Sequence, residues 1–347
     1  MTNGGRMRWS LWWRRTWIAG LTVLGLVTAV VGGMVVALRL EYAGTPTAHT
    51  RGRDALWLGH EWIDGRKDEG DVAALKAQLA DTGIKDLYVF SGPLDSDGSL
   101  PDDRHPNVSW FVDAVHREIP NARVQAWLGN FVAPEYPDEL HLDAPDVRGN
   151  ILVSTGQLLD LGFDGVHYDF EPIRSGTADF LTLLDQAHAL TTGRHALLSI
   201  AAPQIDPLPG LHAPYLAVAG HEKWWSQAYF AAAAHRVDQI AVMSYDTAMP
   251  YRFMYGGYVA EQTTLALQVT PPSVDLLMGL PAYQTENIAH HSSAETVDAA
   301  IRAIRLGLGR TDPTRPAFGV ALFVDYTATP ADWAAYRSNW VTTAPTR

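Results

Sequence analysis

The chain has 347 residues, of which 47% are hydrophobic and 18% are charged, and its formal net charge is −12. It contains no cysteine, which excludes disulfide bonds, thiol catalysis and metal sites built on cysteine. The negative net charge argues against a nucleic-acid partner, because phosphate binding relies on clustered lysine and arginine.

Residues 1–38 are typical of a membrane anchor. Residues 1–16 carry four arginines and no acidic residue, and Trp17 to Leu38 form an uncharged apolar run. A helix of that length rises roughly 33 Å, enough to cross the hydrocarbon core of a bilayer. The positive-inside tendency places residues 1–16 in the cytoplasm and the rest outside. We therefore expect a single-pass cell-membrane protein. A cleaved signal peptide is the alternative, but its apolar run would be shorter and followed by small residues.

Residues 39–53 are polar and turn-rich, which predicts a short linker. From residue 54 to residue 347, short β-rich runs alternate with amphipathic helical stretches, the pattern of a parallel sheet with crossover helices. The predicted strands span residues 55–63, 86–90, 123–128, 165–171, 196–202, 239–245, 275–281 and 318–324. The predicted helices include residues 71–82, 109–119, 151–161, 178–192 and 294–308. This alternation predicts an α/β fold, a single closed (β/α)8 barrel whose functional residues lie at the carboxyl ends of the strands.

The fourth predicted strand, GVHYDFE (165–171), carries the strongest functional signal. Side chains alternate along a strand, so His167, Asp169 and Glu171 share one face at steps of about 6.7 Å. In a barrel the intervening apolar residues pack on the helices and the polar set points inward. Burial and a nearby like charge raise the pKa of a carboxylic acid. Glycosidic cleavage needs one such protonated acid beside a charged neighbour. A buried polar network that only stabilises the barrel is the alternative.

The segment DGVHYDFE (164–171) resembles the D-G-x-D-x-D-x-E signature of glycoside hydrolase family 18, the family of chitinases and peptidoglycan N-acetylglucosaminidases. Asp164, Gly165, Asp169 and Glu171 occupy matching positions. Four other segments resemble the family's third, fifth, sixth and seventh strands in the correct order, the first of them loosely: AWLGN (126–130), LSIAAP (198–203), MSYD (243–246) and MGLPAY (278–283). The resemblance therefore spans most of residues 55–340.

The resemblance implies a (β/α)8 barrel that acts by a substrate-assisted retaining mechanism, an exception to the usual two-carboxylate scheme. Glu171 would act as general acid and then as the base that activates water. Asp169 would orient the substrate's acetamido N–H, and the Tyr245 hydroxyl would hydrogen-bond the acetamido carbonyl. Asp246 would contact the sugar. No cofactor and no metal ion are expected.

Two positions depart from the family pattern. His167 occupies the place of the second aspartate of the signature, where some relatives that act on peptidoglycan carry asparagine; we expect His167 to hydrogen-bond Asp169. On the eighth strand the family usually places a tryptophan under the reactive sugar, and this sequence offers Phe323 or Tyr326 instead.

Several further residues are candidates for substrate binding or for the core. Those expected to contact substrate, beside Asp246 and His167, are Trp62, Trp127, Tyr283, Gln284 and Tyr326. Trp224 and Trp225 are expected in a helix and in the core. His290 and His291 are adjacent in a loop, but no carboxylate at metal-ligand spacing accompanies them in the sequence.

The sequence therefore predicts a membrane-anchored, extracytoplasmic hydrolase of β-linked glycans that contain N-acetylglucosamine, of cell-wall or chitin type. One alternative is a barrel that has lost catalysis and only binds carbohydrate. Another is a hydrolase of an exopolysaccharide without N-acetyl groups. The sequence indicates a glycan and the membrane as partners and identifies no protein partner.

Overall fold

A computed structural model of the protein describes residues 5–342. Side chains are described from Thr16 onward, except at positions 19, 20, 23 and 27. Residues 1–4 and the side chains of the arginines in the predicted cytoplasmic segment 1–16 therefore lie outside the described part.

The described chain begins with a long helix, α1 (Gly5–Glu41). Its window Leu24–Glu41 has a mean hydropathy of 1.8 and is only 6% buried. Within residues 5–342 this is the one helix whose length and composition would allow it to cross a membrane, a test that a signal sequence would also pass. The helix continues past Leu38 and includes the first residues of the predicted linker.

Eight parallel strands close into a barrel, which confirms the predicted architecture. The strands in chain order are β1 (Asp54–Leu58), β2 (Ile84–Pro93), β3 (Arg123–Phe131), β4 (Gly165–Glu171), β5 (Leu197–Ala202), β6 (Gln204–Ile205), β7 (Trp224–Trp225), β8 (Gln239–Val242), β9 (Asp275–Pro281) and β10 (Phe318–Phe323). Strands β6 and β7 pair with each other outside the barrel, and β10 closes the barrel onto β1.

Helices surround the barrel and cover the outward apolar faces of its strands. They are α2 (Glu69–Leu79), α3 (Val108–Glu118), α4 (Pro145–Asp160), α5 (Ala178–Gly193), α6 (His212–Ala219), α7 (Gln227–Ala234), α8 (Arg252–Val269), α9 (Val297–Thr311) and α10 (Pro330–Tyr336). Two barrel strands end at least three residues earlier than predicted. The first ends at Leu58, before a short turn over His60–Trp62, and the sixth ends at Val242. The MSYD motif therefore follows its strand as a loop.

The interior of the barrel near the amino ends of the strands is polar. The buried Asp86 accepts hydrogen bonds from the Arg123 guanidinium at 2.8 and 2.7 Å, and from the side-chain amides of Gln125 and Gln239 at 2.9 and 3.1 Å. The Ser199 hydroxyl donates to Gln125 at 2.8 Å. Buried polar groups are tolerated when they are paired in this way. A stabilising polar network therefore occupies this layer, below the carboxyl ends of the strands.

The segment 42–53, part of the predicted linker, lies against α8 and α9, and we call it the strap. Arg302 and Arg305 on α9 donate to the backbone carbonyls of residues 44 and 48 at 2.8 and 2.6 Å. Just before the strap, the last turns of α1 approach α8 closely. A Cβ atom at Gly257 would lie 2.0 Å from the Leu38 carbonyl oxygen, so this contact requires glycine. The strap is packed against the barrel and does not hang free.

Asp54, fully buried at the start of β1, connects the strap to the C-terminal helices. Its carboxylate accepts hydrogen bonds from Thr50 at 2.7 Å, Tyr336 at 2.7 Å and the Trp340 indole at 2.9 Å. It also accepts the backbone N–H of residue 320 on β10 at 3.0 Å. Burial raises the pKa of Asp54, and these donors oppose the rise. The Asp54 carboxylate thus connects the first strand of the barrel to its last strand and to the C-terminal helices.

We predict that Asp54→Asn lowers the free energy of unfolding by about 3 kcal/mol, because an amide N–H₂ would face groups that are themselves donors. Urea denaturation of the detergent-solubilised chain, followed by tryptophan fluorescence, measures this change. Asp103→Asn makes the same substitution at an exposed site and should change stability by less than about 0.5 kcal/mol. Equal stability of the two variants would contradict the role assigned to Asp54.

Candidate active site

A cavity of about 740 Å³ opens at the carboxyl ends of the barrel strands. Four residues that the sequence motifs single out line it together: Asp169, Glu171, Tyr245 and Asp246. They come from β4 and from the loop after β8, which lie on opposite sides of β5 in the barrel. The closed barrel therefore brings two motifs that are far apart in sequence to one site.

Asp169 and Glu171 project from the same face of β4 because they are two residues apart. Burial raises the pKa of Asp169 to about 6, opposed by the Trp127 indole N–H, which donates to its Oδ2 at 2.9 Å. Burial, followed by the charges of Asp169 and Asp246, raises the pKa of Glu171 to about 8. Glu171 is therefore the member of the pair that keeps its proton to higher pH, and Asp169 is the one that ionises first. This pair can donate a proton and stabilise a positive charge at adjacent positions.

Aromatic rings form the floor of the cavity. Tyr245 is buried and stacks on Phe323, with ring centroids 5.3 Å apart. Trp57 from β1 lies edge-on to Phe323 at 5.6 Å. Phe323 is thus the eighth-strand aromatic that lines the cavity, whereas Tyr326 is 63% exposed. A Cβ atom at Gly279 would lie 2.7 Å from the Tyr245 ring, so the glycine of the MGLPAY segment makes room for this tyrosine.

Tyr245 keeps its hydroxyl proton, because burial and then the neighbouring carboxylates raise its pKa well above the ordinary value. Its O–H is therefore a donor for a ligand in the cavity. Tyr283, also predicted from the sequence, lies edge-on to the Tyr245 ring, with centroids 5.9 Å apart. Its hydroxyl donates to Asp246 Oδ1 at 2.6 Å. Tyr283 thus acts on the site through Asp246.

A histidine that the sequence analysis set aside lies beside Asp246. The His290 Nδ1 atom is 3.1 Å from an Asp246 oxygen and 3.4 Å from a Glu295 oxygen. One donor atom from each of these three residues lies within 4.8 Å of the others, close enough for a single cation to bridge them. The sequence offers no carboxylate at metal-ligand spacing from His290, but the fold brings Asp246 to it from the loop after β8, and Glu295 approaches it from its own loop. Burial lowers the pKa of His290, but the two carboxylates outweigh it and raise the pKa to about 9, which favours the charged imidazole.

His167 takes a different position from the one expected. It is fully buried, its ring stacks on Tyr88 at 3.9 Å, and its Nδ1 hydrogen-bonds the Ser199 hydroxyl at 2.7 Å. Within residues 5–342, its Nε2 atom and the Asp169 Oδ1 atom both lack a hydrogen-bond partner. The expected His167–Asp169 hydrogen bond is thus not formed. Burial lowers the pKa of His167 to about 3, so the ring is neutral and belongs to the polar layer below the cavity.

The other predicted substrate contacts lie around the cavity and do not form its described lining. Trp127 is buried against Phe90 and acts on Asp169 through its N–H. Trp62 is buried and donates to Asp325 at 2.7 Å. Gln284 is exposed and donates to the Asp332 carboxylate at 3.1 Å.

The segment between β5 and α7 contributes residues that the sequence analysis missed. Trp224 and Trp225 form the short strand β7 and line the cavity, so the helix expected there is wrong. Lys223, beside them, donates to the Thr247 carbonyl at 2.9 Å. On the opposite rim, Phe131 and Tyr136 stack at 4.2 Å and are 48% and 42% exposed. Phe131 ends β3 and Tyr136 lies in the loop after it, so the signal that could have found them is the presence of aromatic residues at the carboxyl end of a barrel strand.

No protein-family model and no curated protein matches this sequence. Solved structures do match its fold. The spore cortex-lytic enzyme SleL of Bacillus megaterium QM B1551 is 14% identical with a TM-score of 0.58, over 86% of this chain and 75% of that one. A class V chitinase from Pseudomonas fluorescens Pf-5 is 16% identical with a TM-score of 0.55, over 85% of this chain and 99% of that one. The chitinase from Chromobacterium violaceum ATCC 12472 is 14% identical with a TM-score of 0.55, over 84% and 99%. At these identities the likeness establishes the fold, and the predicted resemblance to family 18 barrels is confirmed at that level.

We predict that Trp127→Phe raises the pKa of Asp169 above that in the unsubstituted protein, because the substitution removes the N–H that stabilises the ionised carboxylate. Carboxyl ¹³C NMR titration, with the signal assigned by its loss in Asp169→Asn, measures the shift. Trp62→Phe removes an equivalent indole donor from Asp325 and should leave the Asp169 titration unchanged. An unchanged titration in Trp127→Phe would show that the indole does not tune this carboxyl.

Proposed function

We propose that this protein is a glycoside hydrolase that cleaves β-linked glycans containing N-acetylglucosamine. The observation that carries the proposal is the convergence of Glu171, Asp169 and Tyr245 on one cavity, where burial and the charges of Asp169 and Asp246 raise the pKa of Glu171. An acid of this kind suits proton donation to a glycosidic oxygen. The likeness of the barrel to chitinases and a cortex-lytic enzyme supports the same reaction class.

The proposed reaction has two steps. In the first, the substrate's acetamido oxygen attacks the anomeric carbon while Glu171 protonates the departing glycosidic oxygen. The ionised Asp169 orients the acetamido N–H and stabilises the positive charge of the oxazolinium intermediate. The Tyr245 hydroxyl donates to the acetamido oxygen and holds it near the anomeric carbon. In the second step the Glu171 carboxylate takes a proton from water, which attacks the anomeric carbon and restores the β-configuration.

The substrate class we propose is the polymer of a cell wall or of chitin. Such a chain presents flat sugar faces, and the stacked Phe131 and Tyr136 at the rim offer a matching aromatic surface. A barrel that only binds carbohydrate is the second candidate, favoured by one observation: His167 has replaced the family's aspartate, and the expected support of Asp169 from that position is missing.

We also propose that α1 stays uncleaved and anchors the barrel outside the cytoplasmic membrane. The exposed apolar surface of the helix and the arginines that precede it in the sequence support this topology. Packing of its last turns on α8 supports retention of the helix, because cleavage near Leu38 would leave Gly257 without its partner.

We predict that Glu171→Gln lowers kcat about 10²- to 10⁴-fold while leaving ligand binding nearly intact, because the amide keeps the shape and loses the proton. Reducing-end release is measured on chitin oligomers, peptidoglycan and an unacetylated glucan in parallel. Glu118→Gln, an equivalent change in an exposed helix outside the cavity, should retain full activity.

The same assays discriminate the alternatives. A binding barrel would show no turnover on any substrate, and a hydrolase of unacetylated exopolysaccharide would cleave the glucan. A thiazoline analogue of the oxazolinium intermediate should inhibit well below the substrate KM. Inversion at the anomeric carbon, observed by NMR in the first minutes, would exclude the proposed mechanism.

For the topology, we predict that protease added to intact cells removes the barrel and spares the N-terminal segment. The readout is immunoblotting of tags placed before Met1 and after Arg347. Protection of the C-terminal tag, with an outer-surface control protein digested in the same cells, would contradict the proposed orientation.

A further inference from the structure

The loop that carries Asp246 is held in a costly conformation. Asp246 and Ala248 have φ values of +55° and +60°, in the left-handed region that residues with side chains rarely adopt. Such a conformation persists only where neighbouring groups enforce it. The groups that enforce it here come mainly from the loop between β9 and α9.

Groups of that loop accept hydrogen bonds from residues 247 and 248. The Glu295 carboxylate accepts the Thr247 backbone N–H at 3.0 Å and its hydroxyl at 2.9 Å. The carbonyl of residue 289 accepts the backbone N–H of residue 248 at 2.6 Å. His290 lies between Asp246 and Glu295, fully buried, with its ring 4.3 Å from the Tyr283 ring. Both carboxylates therefore approach the same His290 Nδ1 atom at ion-pair distance without aligned hydrogen bonds, and among the described residues its Nε2 atom has no hydrogen-bond partner.

The charges around His290 come from several elements. Asp246 and Glu295 face it directly, and Tyr283 shares the Asp246 oxygen. Lys223, from the segment before β7, donates to the Thr247 carbonyl and lies within electrostatic range of both carboxylates. Tyr255 of α8 is buried nearby and donates to the Ser244 carbonyl at 3.1 Å. The neighbouring His291 pairs with Glu286 instead. A neutral imidazole would leave Asp246 and Glu295 close together, with Asp246 also acting on Glu171 and Lys223 as a compensating charge.

We propose that His290, as an imidazolium ion, is a positioning residue that holds Asp246 in place and balances its charge against Glu295. This inference rests on the proposed hydrolase function for its kinetic consequences, since Asp246 is the group that contacts the sugar there. The role of His290 in holding Asp246 in place does not depend on that function. His290 acts only through Asp246 and Glu295.

The kinetic test is a double-mutant cycle on the full-length protein. His290→Asn should lower kcat by up to about 10²-fold through misplacement of Asp246. In an Asp246→Asn background the same substitution should cost no more than about twofold, because its target is gone. His291→Asn, in the same loop, is the matched control and should leave kcat unchanged. An equal loss in both backgrounds would overturn the proposal.

A second measurement does not depend on catalytic activity. Imidazole ¹⁵N NMR of the wild-type protein should show His290 protonated at neutral pH and deprotonating near pH 9, and Asp246→Asn should lower that midpoint. A midpoint near the ordinary 6.5, or a signal that responds to added Zn²⁺ and to chelator instead of to pH, would overturn the proposal. If every glycan resists cleavage, the proposed function fails while this titration still decides the role of His290.

Discussion

Burial of two carboxyl groups on one strand is the constraint on which the rest of the site depends. A closed parallel barrel places Asp169 and Glu171 in a cavity where water screens them poorly, so neither could be charged without support. The surroundings provide that support unequally. Asp169 receives the Trp127 N–H, whereas Glu171 faces two carboxylates. The difference in environment, and not in side-chain chemistry, assigns the charge to one and the proton to the other.

Much of this arrangement could be predicted from the sequence because it follows from local periodicity. The two-residue repeat of β4 fixes which side chains share a face, and the βα alternation fixes the barrel and the end at which its polar residues meet. Tyr245 and Asp246 could be added because their motif follows a strand in the correct order. These inferences depend on neighbours along the chain, and all four residues line the same cavity.

The remaining features depend on contacts between distant segments, which no local pattern encodes. His167 was assigned to Asp169 because they share a face, yet Ser199 on the adjacent strand is its partner. Trp224 and Trp225 look helical in sequence, but pairing with β6 draws them into a strand. Glu295 reaches Thr247 across two loops separated by β9 and α8. In each case the competing partner lies 20 or more residues away, so the local spacing of residues could not predict it.

The strap has a consequence for how far the barrel can reach. A free segment of twelve residues would let its ends separate by roughly 20 Å on average and would allow the catalytic domain to sweep a volume above its attachment point. Held by Arg302 and Arg305, the strap allows no such excursion. In the proposed topology the mouth of the barrel therefore stays at one height and one tilt relative to the bilayer. The rate at which the active site meets its substrate would then depend on how often glycan strands reach that height. Movement of the barrel itself would contribute little.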